Sequence, residues 1–407
     1  MKCGLLGRKL GHSYSPQIHA LLGNYSYQLF EKEPEEIGDF LKNGDFTGLN
    51  VTIPYKKEVI PFLDELSPAA ARLGAVNTIV RRDGKLIGHN TDYFGFRRLV
   101  QESGLQIAGK KVLVLGSGGA SSTAVAVLQE LGAKVTVISR SGENNYENLD
   151  RHADAAVIAN TTPVGMYPNT GKSALSLEGF PRLEGVLDAV YNPARTQILL
   201  DAERRGLAAV NGLWMLVAQA KESAEWFTGE EIPDSRIAKI HHTLRLQMEN
   251  IILIGMPGCG KTAVGQQLAQ KLGKKFVDAD ESLEARVCRK ITDIIPNDGE
   301  AAFREMESET LAELGKQSGL VIATGGGCVT QPQNYPLLHQ NGTIFWLKRE
   351  LDKLPTDGRP LSQKGTLGQM YEARMPLYLR FADAAISNDG SIAETTSAIC
   401  RKLEETT

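Results

Sequence analysis

Cysteine is scarce in this sequence of 407 residues: Cys3, Cys259, Cys288, Cys328 and Cys400 are odd in number, far apart, and form neither a C-x-x-C pair nor a zinc-like spacing. That pattern argues against a disulfide framework and against structural zinc. Long hydrophobic runs are also missing. No stretch approaches the roughly 18 uninterrupted apolar residues of a membrane span, and Met1-Lys2-Cys3-Gly4-Leu5-Leu6-Gly7 is too short an apolar start for a secretory signal. We therefore expect a cytoplasmic protein with no membrane partner. Charge of one sign is absent as well: 45 Lys and Arg stand against 48 Asp and Glu, a formal balance of −3. With no long basic run to neutralise a row of phosphates, nucleic acid is not the expected partner. What is present is an ordinary globular composition, 42% hydrophobic and 23% charged. Such a chain should bury packed cores, and at about 150 residues per domain its length predicts two or three of them.

Short β-branched or Leu-rich runs recur at intervals of helix length: Lys111-Val112-Leu113-Val114-Leu115, Lys134-Val135-Thr136-Val137-Ile138, Val157-Ile158-Ala159, Asn250-Ile251-Ile252-Leu253-Ile254 and Leu320-Val321-Ile322-Ala323. Buried parallel strands with crossover helices fit this pattern, hence an α/β fold. Two of the strands run into glycine loops, at Gly116 and Gly255, each followed by a helical pattern. Each such loop normally opens its own sheet, so we expect two nucleotide-binding modules. The boundary falls near Gln247. Before it, Asp234 caps a helix that carries Ile237, Ile240 and Leu244 at helical spacing; after it, Met248-Glu249 leads directly into a strand. No Pro/Gly/Ser linker, low-complexity segment or internal repeat interrupts the chain, which predicts a fairly definite relation between the halves.

The second loop, Gly255-Met256-Pro257-Gly258-Cys259-Gly260-Lys261-Thr262, satisfies G-x-x-x-x-G-K-[ST] between a strand and a helix. The backbone N–H groups of Gly258, Cys259 and Gly260 can ring phosphate oxygens, Lys261 can reach the terminal phosphates, and Thr262 offers a hydroxyl to magnesium. ATP with Mg2+ is the expected ligand. Downstream, Asp278-Ala279-Asp280 is read as an extended segment whose alternate carboxylates face one site, one for the metal shell and one to accept a hydroxyl proton. Glu300 to Glu307 with Arg304, the run Gly325-Gly326-Gly327, Asp357-Gly358-Arg359-Pro360 and Arg374 follow in order. Together these motifs resemble shikimate kinase over nearly all of residues 248–407. The resemblance implies that Asp280 binds the shikimate hydroxyl as its base, that Asp278 and Thr262 belong to the magnesium shell, and that Arg304 and Arg374 clamp the substrate carboxylate beside Gly326 and Gly327. It also implies that Arg359, in a lid, meets the transferring phosphoryl group of ATP.

The first loop, Gly116-Ser117-Gly118-Gly119-Ala120-Ser121, precedes a helical pattern over 123–131 and lacks the third glycine of G-x-G-x-x-G. After the next strand, Ser139-Arg140-Ser141 stands where an NAD site would carry Asp or Glu, so Arg140 favours a 2′-phosphate and hence NADP. Ahead of this module, polar clusters sit in apolar surroundings: His12-Ser13-Tyr14-Ser15-Pro16, Asn50-Val51-Thr52-Ile53-Pro54-Tyr55-Lys56, Ala75-Val76-Asn77-Thr78 and Asn90-Thr91-Asp92. They suit a polyhydroxylated ligand, and Lys56 could donate a proton to a carbonyl oxygen undergoing reduction. With Asn160-Thr161-Thr162-Pro163-Val164-Gly165-Met166, Asp188-Ala189-Val190-Tyr191-Asn192-Pro193 and Gly212-Leu213-Trp214, the pattern resembles shikimate dehydrogenase over residues 1–247.

That resemblance implies a substrate subdomain over 1–98, a Rossmann-like NADP subdomain over 99–213 and returning helices over 214–247. It assigns Ser13, Ser15, Thr52, Asn77, Tyr191 and Gln219 to substrate and makes Lys56 and Asp92 the catalytic pair. Gly116, Gly118, Gly119, Ala120, Ser139, Arg140, Thr161, Met166 and Gly212 go to NADP. The chain departs from the family pattern at Arg8-Lys9-Leu10, at Ser139-Arg140-Ser141 and at Trp214, which takes a usually small position beside the expected nicotinamide pocket. The two resemblances share one metabolite, shikimate, and imply a bifunctional enzyme that reduces 3-dehydroshikimate with NADPH and phosphorylates the product, acting as a monomer or homodimer. Two other readings stay open: a first half that oxidises quinate or shikimate with NAD, and one half serving as a non-catalytic ligand-binding regulatory module.

Overall fold

The computed structural model describes residues 1–11, 13–354 and 367–405; Arg359 and His12 lie outside the described residues. The chain separates into two compact units. One comprises Met1–Met166, Lys172–Tyr191 and Ile198–His241, the other Tyr167–Gly171, Asn192–Gln197 and His242–Thr407. Among the described residues no helix is long and apolar enough to cross a membrane.

The first unit holds two sheets. Strands β1 (Lys2–Gly7), β2 (Ser26–Glu31), β3 (Gly48–Val51), β4 (Glu65–Leu66), β5 (Thr78–Arg82) and β6 (Lys85–His89) form the first, in the order β2-β1-β3-β5-β6-β4. It is mixed, because β5 runs antiparallel to both β3 and β6 while β1 and β3 are parallel. A hairpin over Asp83 and Gly84, both at positive φ, produces the reversal. The second sheet contains β7 (Lys111–Leu115), β8 (Lys134–Ile138), β9 (Val157–Asn160), β10 (Gly185–Asp188) and β11 (Ala208–Val210), all parallel, in the order β11-β10-β9-β7-β8. β7, β9 and β10 are buried almost throughout, as expected for strands covered on both faces, and Leu113, Leu115, Ile158 and Val186 anchor one of the cores.

In the second unit, β12 (Asn250–Ile254), β13 (Lys275–Asp278), β14 (Leu320–Ala323), β15 (Gly342–Lys348) and β16 (Ala384–Ser387) are parallel in the order β13-β14-β12-β15-β16. The sequence-read strands all form. Both loop helices begin before their apolar patterns, spanning Gly119–Glu130 and Lys261–Leu272, because the first turn follows directly from the glycine loop and its small or charged residues mark no apolar face.

The Asp278-Ala279-Asp280 segment departs from expectation. Only Asp278 belongs to a strand; it caps the helix Ala279–Val287, its Oδ1 accepting from the N–H groups of Asp280 at 3.0 Å and Glu281 at 3.4 Å. Capping chemistry overrides strand alternation here, since an aspartate followed by exposed helix N–H groups satisfies them first.

Candidate active sites

Topology gathers the polar clusters of the first unit. β1 and β3 end at the same sheet edge, where antiparallel β5 begins and β6 ends, with Asn50 opposite Thr78 and Thr78 opposite His89. The residues following β3 (Thr52 to Lys56), preceding β5 (Asn77) and following β6 (Asn90 to Asp92) are thereby brought together. Lys56 Nζ donates to Asp92 Oδ2 at 2.6 Å. Asp92 is buried in the first turn of the helix Asp92–Glu102, where the N-terminal dipole favours a carboxylate.

Behind this pair, Asn77 Nδ2 donates to Thr91 Oγ1 at 3.0 Å, and Thr91 N–H donates to Asn77 Oδ1 at 2.7 Å. The Thr91 hydroxyl lies 3.5 Å from Gln219 Oε1, on the helix Leu213–Thr228. That helix packs closely because Gly95 has no side chain; a Cβ there would stand 2.6 Å from the Met215 carbonyl. Ser13 Oγ accepts from Ser15 N–H at 3.2 Å to open the helix Ser15–Leu22, and the Tyr14 and Tyr191 rings meet edge to face at 6.2 Å. Thr52 N–H donates to the Leu6 carbonyl at 2.9 Å, holding its loop on β1.

The parallel second sheet carries its loops at one edge, as doubly wound sheets do. Gly116, at φ +107°, follows β7; Gly118 and Gly119 have open space where a Cβ would point, so a ligand backbone can approach. Ser121, at the third-glycine position, is buried and its hydroxyl donates to the Gly116 carbonyl at 2.7 Å, closing the loop that a glycine closes elsewhere. Ala120 is half-buried in the same first turn, Ser139 follows β8, and Arg140 is exposed beside it. Thr161 Oγ1 donates to the Leu115 carbonyl at 2.6 Å, and Met166 is 45% exposed. Gly212, which follows β11, packs so closely on the residue after β10 that a Cβ would collide with the Ala189 carbonyl oxygen. Open glycines, a cationic group after β8 and an apolar rim together fit a phosphorylated dinucleotide.

The Trp214 ring stacks on His241 at 3.7 Å with the Arg98 guanidinium over it at 5.7 Å, tying the helix Leu213–Thr228 to the helix Ser235–Met248.

In the second unit a cavity of about 490 Å³ opens at the carboxyl edge of the sheet. Lys261 is buried, its ammonium donating to the carbonyls of Gly255 at 2.9 Å and Met256 at 3.1 Å. Thr262 Oγ1 donates to Asp278 Oδ2 at 3.1 Å. These two oxygens would help hold a magnesium ion, which would offset phosphate charge there; among the described residues no cluster of three or more acidic, His or Cys side chains offers a complete cage.

Burial, and then the Asp278 charge, push the Asp280 carboxyl above its usual range, with Lys261 and Arg304 opposing. Arg304 is 7% exposed and donates to Glu307 Oε2 at 2.7 Å; its guanidinium lies on Gly327, where a Cβ would collide with Nη2. Arg374 Nη1 donates to the Gly326 carbonyl at 3.2 Å. Thus Gly258, Gly260, Lys261, Thr262, Asp278, Asp280, Arg304, Gly326, Gly327 and Arg374 line one cavity, while Cys259 is fully buried beneath its loop.

Two contributors escape the sequence reading. Glu307 holds Arg304 and, like Asp280, has a buried oxygen without a hydrogen-bond partner among the described residues; a Cβ on Gly325 would stand 2.5 Å from Glu307 Oε1 and 2.9 Å from Asp280 Oδ1. The i,i+3 spacing of Arg304 and Glu307 on an amphipathic helix was the available signal. Asn388, beyond β16, donates to the Cys259 carbonyl at 2.6 Å, and nothing in its local sequence marks it.

Fold and sites define a class: an oxidoreductase with a Rossmann-like module joined to a P-loop phosphotransferase. Residues 5–79 match the family described as shikimate dehydrogenase substrate binding domain, and residues 257–404 match shikimate kinase. A shikimate dehydrogenase (NADP(+)) of Clostridium perfringens is 38% identical, covering 60% of this chain and 97% of that protein. Among solved structures, shikimate dehydrogenase 1 of Peptoclostridium difficile is 38% identical with a TM-score of 0.55, over 60% of this chain and 98% of that one. A chorismate mutase/shikimate 5-dehydrogenase fusion protein of Clostridium acetobutylicum is 37% identical with a TM-score of 0.57, over 60% and 96%. Shikimate 5-dehydrogenase of Thermus thermophilus, solved in complex with NADP(H) and shikimate, is 30% identical with a TM-score of 0.54, over 60% and 99%. The chain belongs to the shikimate dehydrogenase family and continues into a shikimate kinase domain.

Proposed function

We propose that the chain reduces 3-dehydroshikimate to shikimate and then phosphorylates the 3-hydroxyl, using residues 1–247 for the first step and 248–407 for the second. The family matches over 5–79 and 257–404, and the helix Ser235–Met248 ending just before β12, support that division. The 2.6 Å contact of Lys56 with Asp92 carries the reading of the first half. NADPH, when bound, supplies the reducing equivalent. Lys56 gives its proton to the substrate oxygen, and Asp92 holds the ammonium in place. The linked side chains Asn77, Thr91 and Gln219, with Ser13, Ser15, Thr52 and Tyr191, bind the ring hydroxyls and carboxylate. Arg140 meets the 2′-phosphate and, with the glycines of 116–119, Ala120, Ser139, Thr161, Met166 and Gly212, makes the cofactor site.

In the second half, MgATP supplies the phosphoryl group. Asp280 orients the substrate hydroxyl and takes its proton, a role supported by a carboxyl pushed upward toward the pH at which a base is useful. Arg304 and Arg374 hold the substrate carboxylate beside Gly326 and Gly327, Lys261 neutralises phosphate charge with Gly258, Cys259 and Gly260, and Thr262 with Asp278 steadies the metal. Arg359 is assigned to the phosphoryl group on its motif. Each site is built within one chain, which supports action as a monomer or homodimer, and five free cysteines support a reducing, cytoplasmic setting.

Two separate assays test this reading. NADPH should be consumed on addition of 3-dehydroshikimate, with NADH a poor substitute, and ADP should form on addition of shikimate, MgATP being present in both. Failure of either assay removes the corresponding half of the proposal.

A further inference from the structure

The turn after β9 is held by a chain of hydrogen bonds that runs in one direction. Asp188, the last residue of β10, is fully buried, and its Oδ1 accepts from Asn160 Nδ2 at 2.9 Å and from Val190 N–H at 3.0 Å. A carboxylate can only accept, so the Asn160 amide must turn its NH2 toward Asp188 and its oxygen the other way. That oxygen accepts from Thr162 N–H at 3.1 Å and from Thr162 Oγ1 at 2.7 Å, and Thr162 Oγ1 in turn lies 3.3 Å from Val164 N–H. Asn160 is only 1% exposed, so water does not compete for either side of its amide. The turn is seated on the dinucleotide loop: a Cβ on Gly116 would stand 3.1 Å from Thr162 Cγ2 and 3.2 Å from Thr161 Oγ1. Asp188 also fixes the chain that leads through Val190 to Tyr191 and, by the Gly212 N–H to Val190 carbonyl bond at 2.9 Å, to Gly212.

Resting on the reading of this half as an NADPH-dependent reductase, we propose that Asp188 is a positioning residue: by fixing which way the Asn160 amide faces, it sets the turn over 161–166 on the cofactor side of the cleft. A neutral side chain at 188 would leave the Thr162 N–H as the one remaining strict donor that orients the Asn160 amide, and the hold on the turn's register against Gly116 would weaken. Polar chains of this kind are strong when every member is satisfied and costly when one is reversed.

Three variants test it: Asn160→Asp, which opposes two carboxylates; Asp188→Asn, which frees the amide; and the reciprocal pair Asp188→Asn with Asn160→Asp, which restores one donor and one acceptor across the contact. The expected loss in reductase kcat for Asn160→Asp is about 100-fold, the scale of a displacement of about 1 Å in a reacting geometry, with a smaller loss for Asp188→Asn. KM for 3-dehydroshikimate should stay close to its starting value, NADPH binding by fluorescence titration should weaken, and amide exchange over 161–166 in the ligand-free protein should quicken. The reciprocal pair should recover at least about tenfold of the lost kcat. Kinase turnover in the same chain reports that the variant protein is otherwise intact. Unchanged kcat and exchange in Asn160→Asp, or a reciprocal pair no better than Asn160→Asp, would overturn the proposal. A starting chain that binds NADPH but reduces nothing would instead strike the function proposed above, while the exchange and binding measurements still decide the role of Asp188.

Discussion

The Lys56 ammonium reaches the Asp92 carboxylate across 2.6 Å although 36 residues separate them, because β3 and β6 deliver their following loops to the same edge of a mixed sheet. Neither group is fully sealed, with side-chain exposures of 28% and 12%, so the pair is reachable by a substrate carbonyl. Replacing Lys56 with Ala should lower reductase kcat by about 10²- to 10⁴-fold, the usual worth of a positioned proton donor. Asp92→Asn should lower it less, since the lysine remains but loses its anchor. Kinase turnover should be unaffected in both, measured as ADP release in the same preparation.

Cofactor choice tests the loops of the second sheet. Arg140 is exposed just after β8, where the proposed NADP site would set its guanidinium against a 2′-phosphate. Arg140→Ala should raise KM for NADPH by about 10- to 100-fold, matching the roughly 1.5–3 kcal/mol of a hydrogen bond to a charged group. KM for NADH should change little, so the ratio of kcat/KM for the two cofactors is the measurement.

Asp280 links chemistry to stability. Its folded-state pKa is raised by burial and by Asp278, so the folded chain holds the proton more tightly than the unfolded chain. Stability from this group is therefore present below the unfolded pKa and lost as pH rises through the folded one. Above its folded-state pKa the ionised carboxylate costs stability, and Asp280→Asn should abolish phosphoryl transfer while making unfolding of the kinase unit at such pH about 0.5–2 kcal/mol harder by urea titration. The pH profile of kcat/KM for shikimate should fall on the acid side at a pH above the ordinary aspartate value of about 3.9.

How much of this was legible in the sequence depended on whether the signal was local. The strands leading into Gly116 and Gly255 were readable because a buried parallel strand needs a continuous apolar run and a phosphate loop needs glycine at fixed offsets. The pairing of Lys56 with Asp92 came from the family resemblance, since composition and periodicity do not say which sheet edge a loop reaches. The role of Asp280 came from the kinase resemblance, while the extended-segment argument that paired it with Asp278 is overturned by the helix cap at Asp278. The stacking partner of Trp214, His241, is 27 positions away on a helix whose packing partner no local pattern reveals. Asn388 stayed silent for the same reason, 129 residues from the loop it holds.

The contact between Asn388 and the phosphate loop makes Gly260 sensitive to substitution. Gly260 has φ +97°, and a Cβ there would stand 2.6 Å from Asn388 Nδ2. Gly260→Ala should therefore strain the loop and displace Asn388, weakening MgATP binding by at least about tenfold, as expected for about 1–3 kcal/mol of backbone strain. Asn388→Ala should weaken it less, through loss of one buried hydrogen bond. Isothermal titration with a non-hydrolysable ATP analogue reads both.

Two activities in one chain, meeting at shikimate, can be observed in a single reaction. The purified protein, incubated with 3-dehydroshikimate, NADPH, ATP and magnesium, should yield shikimate 3-phosphate by mass spectrometry; Lys56→Ala should leave 3-dehydroshikimate, and Asp280→Ala should accumulate shikimate. Formation of shikimate 3-phosphate by either variant at the rate of the unaltered chain, or no conversion of 3-dehydroshikimate by the unaltered chain, would contradict it.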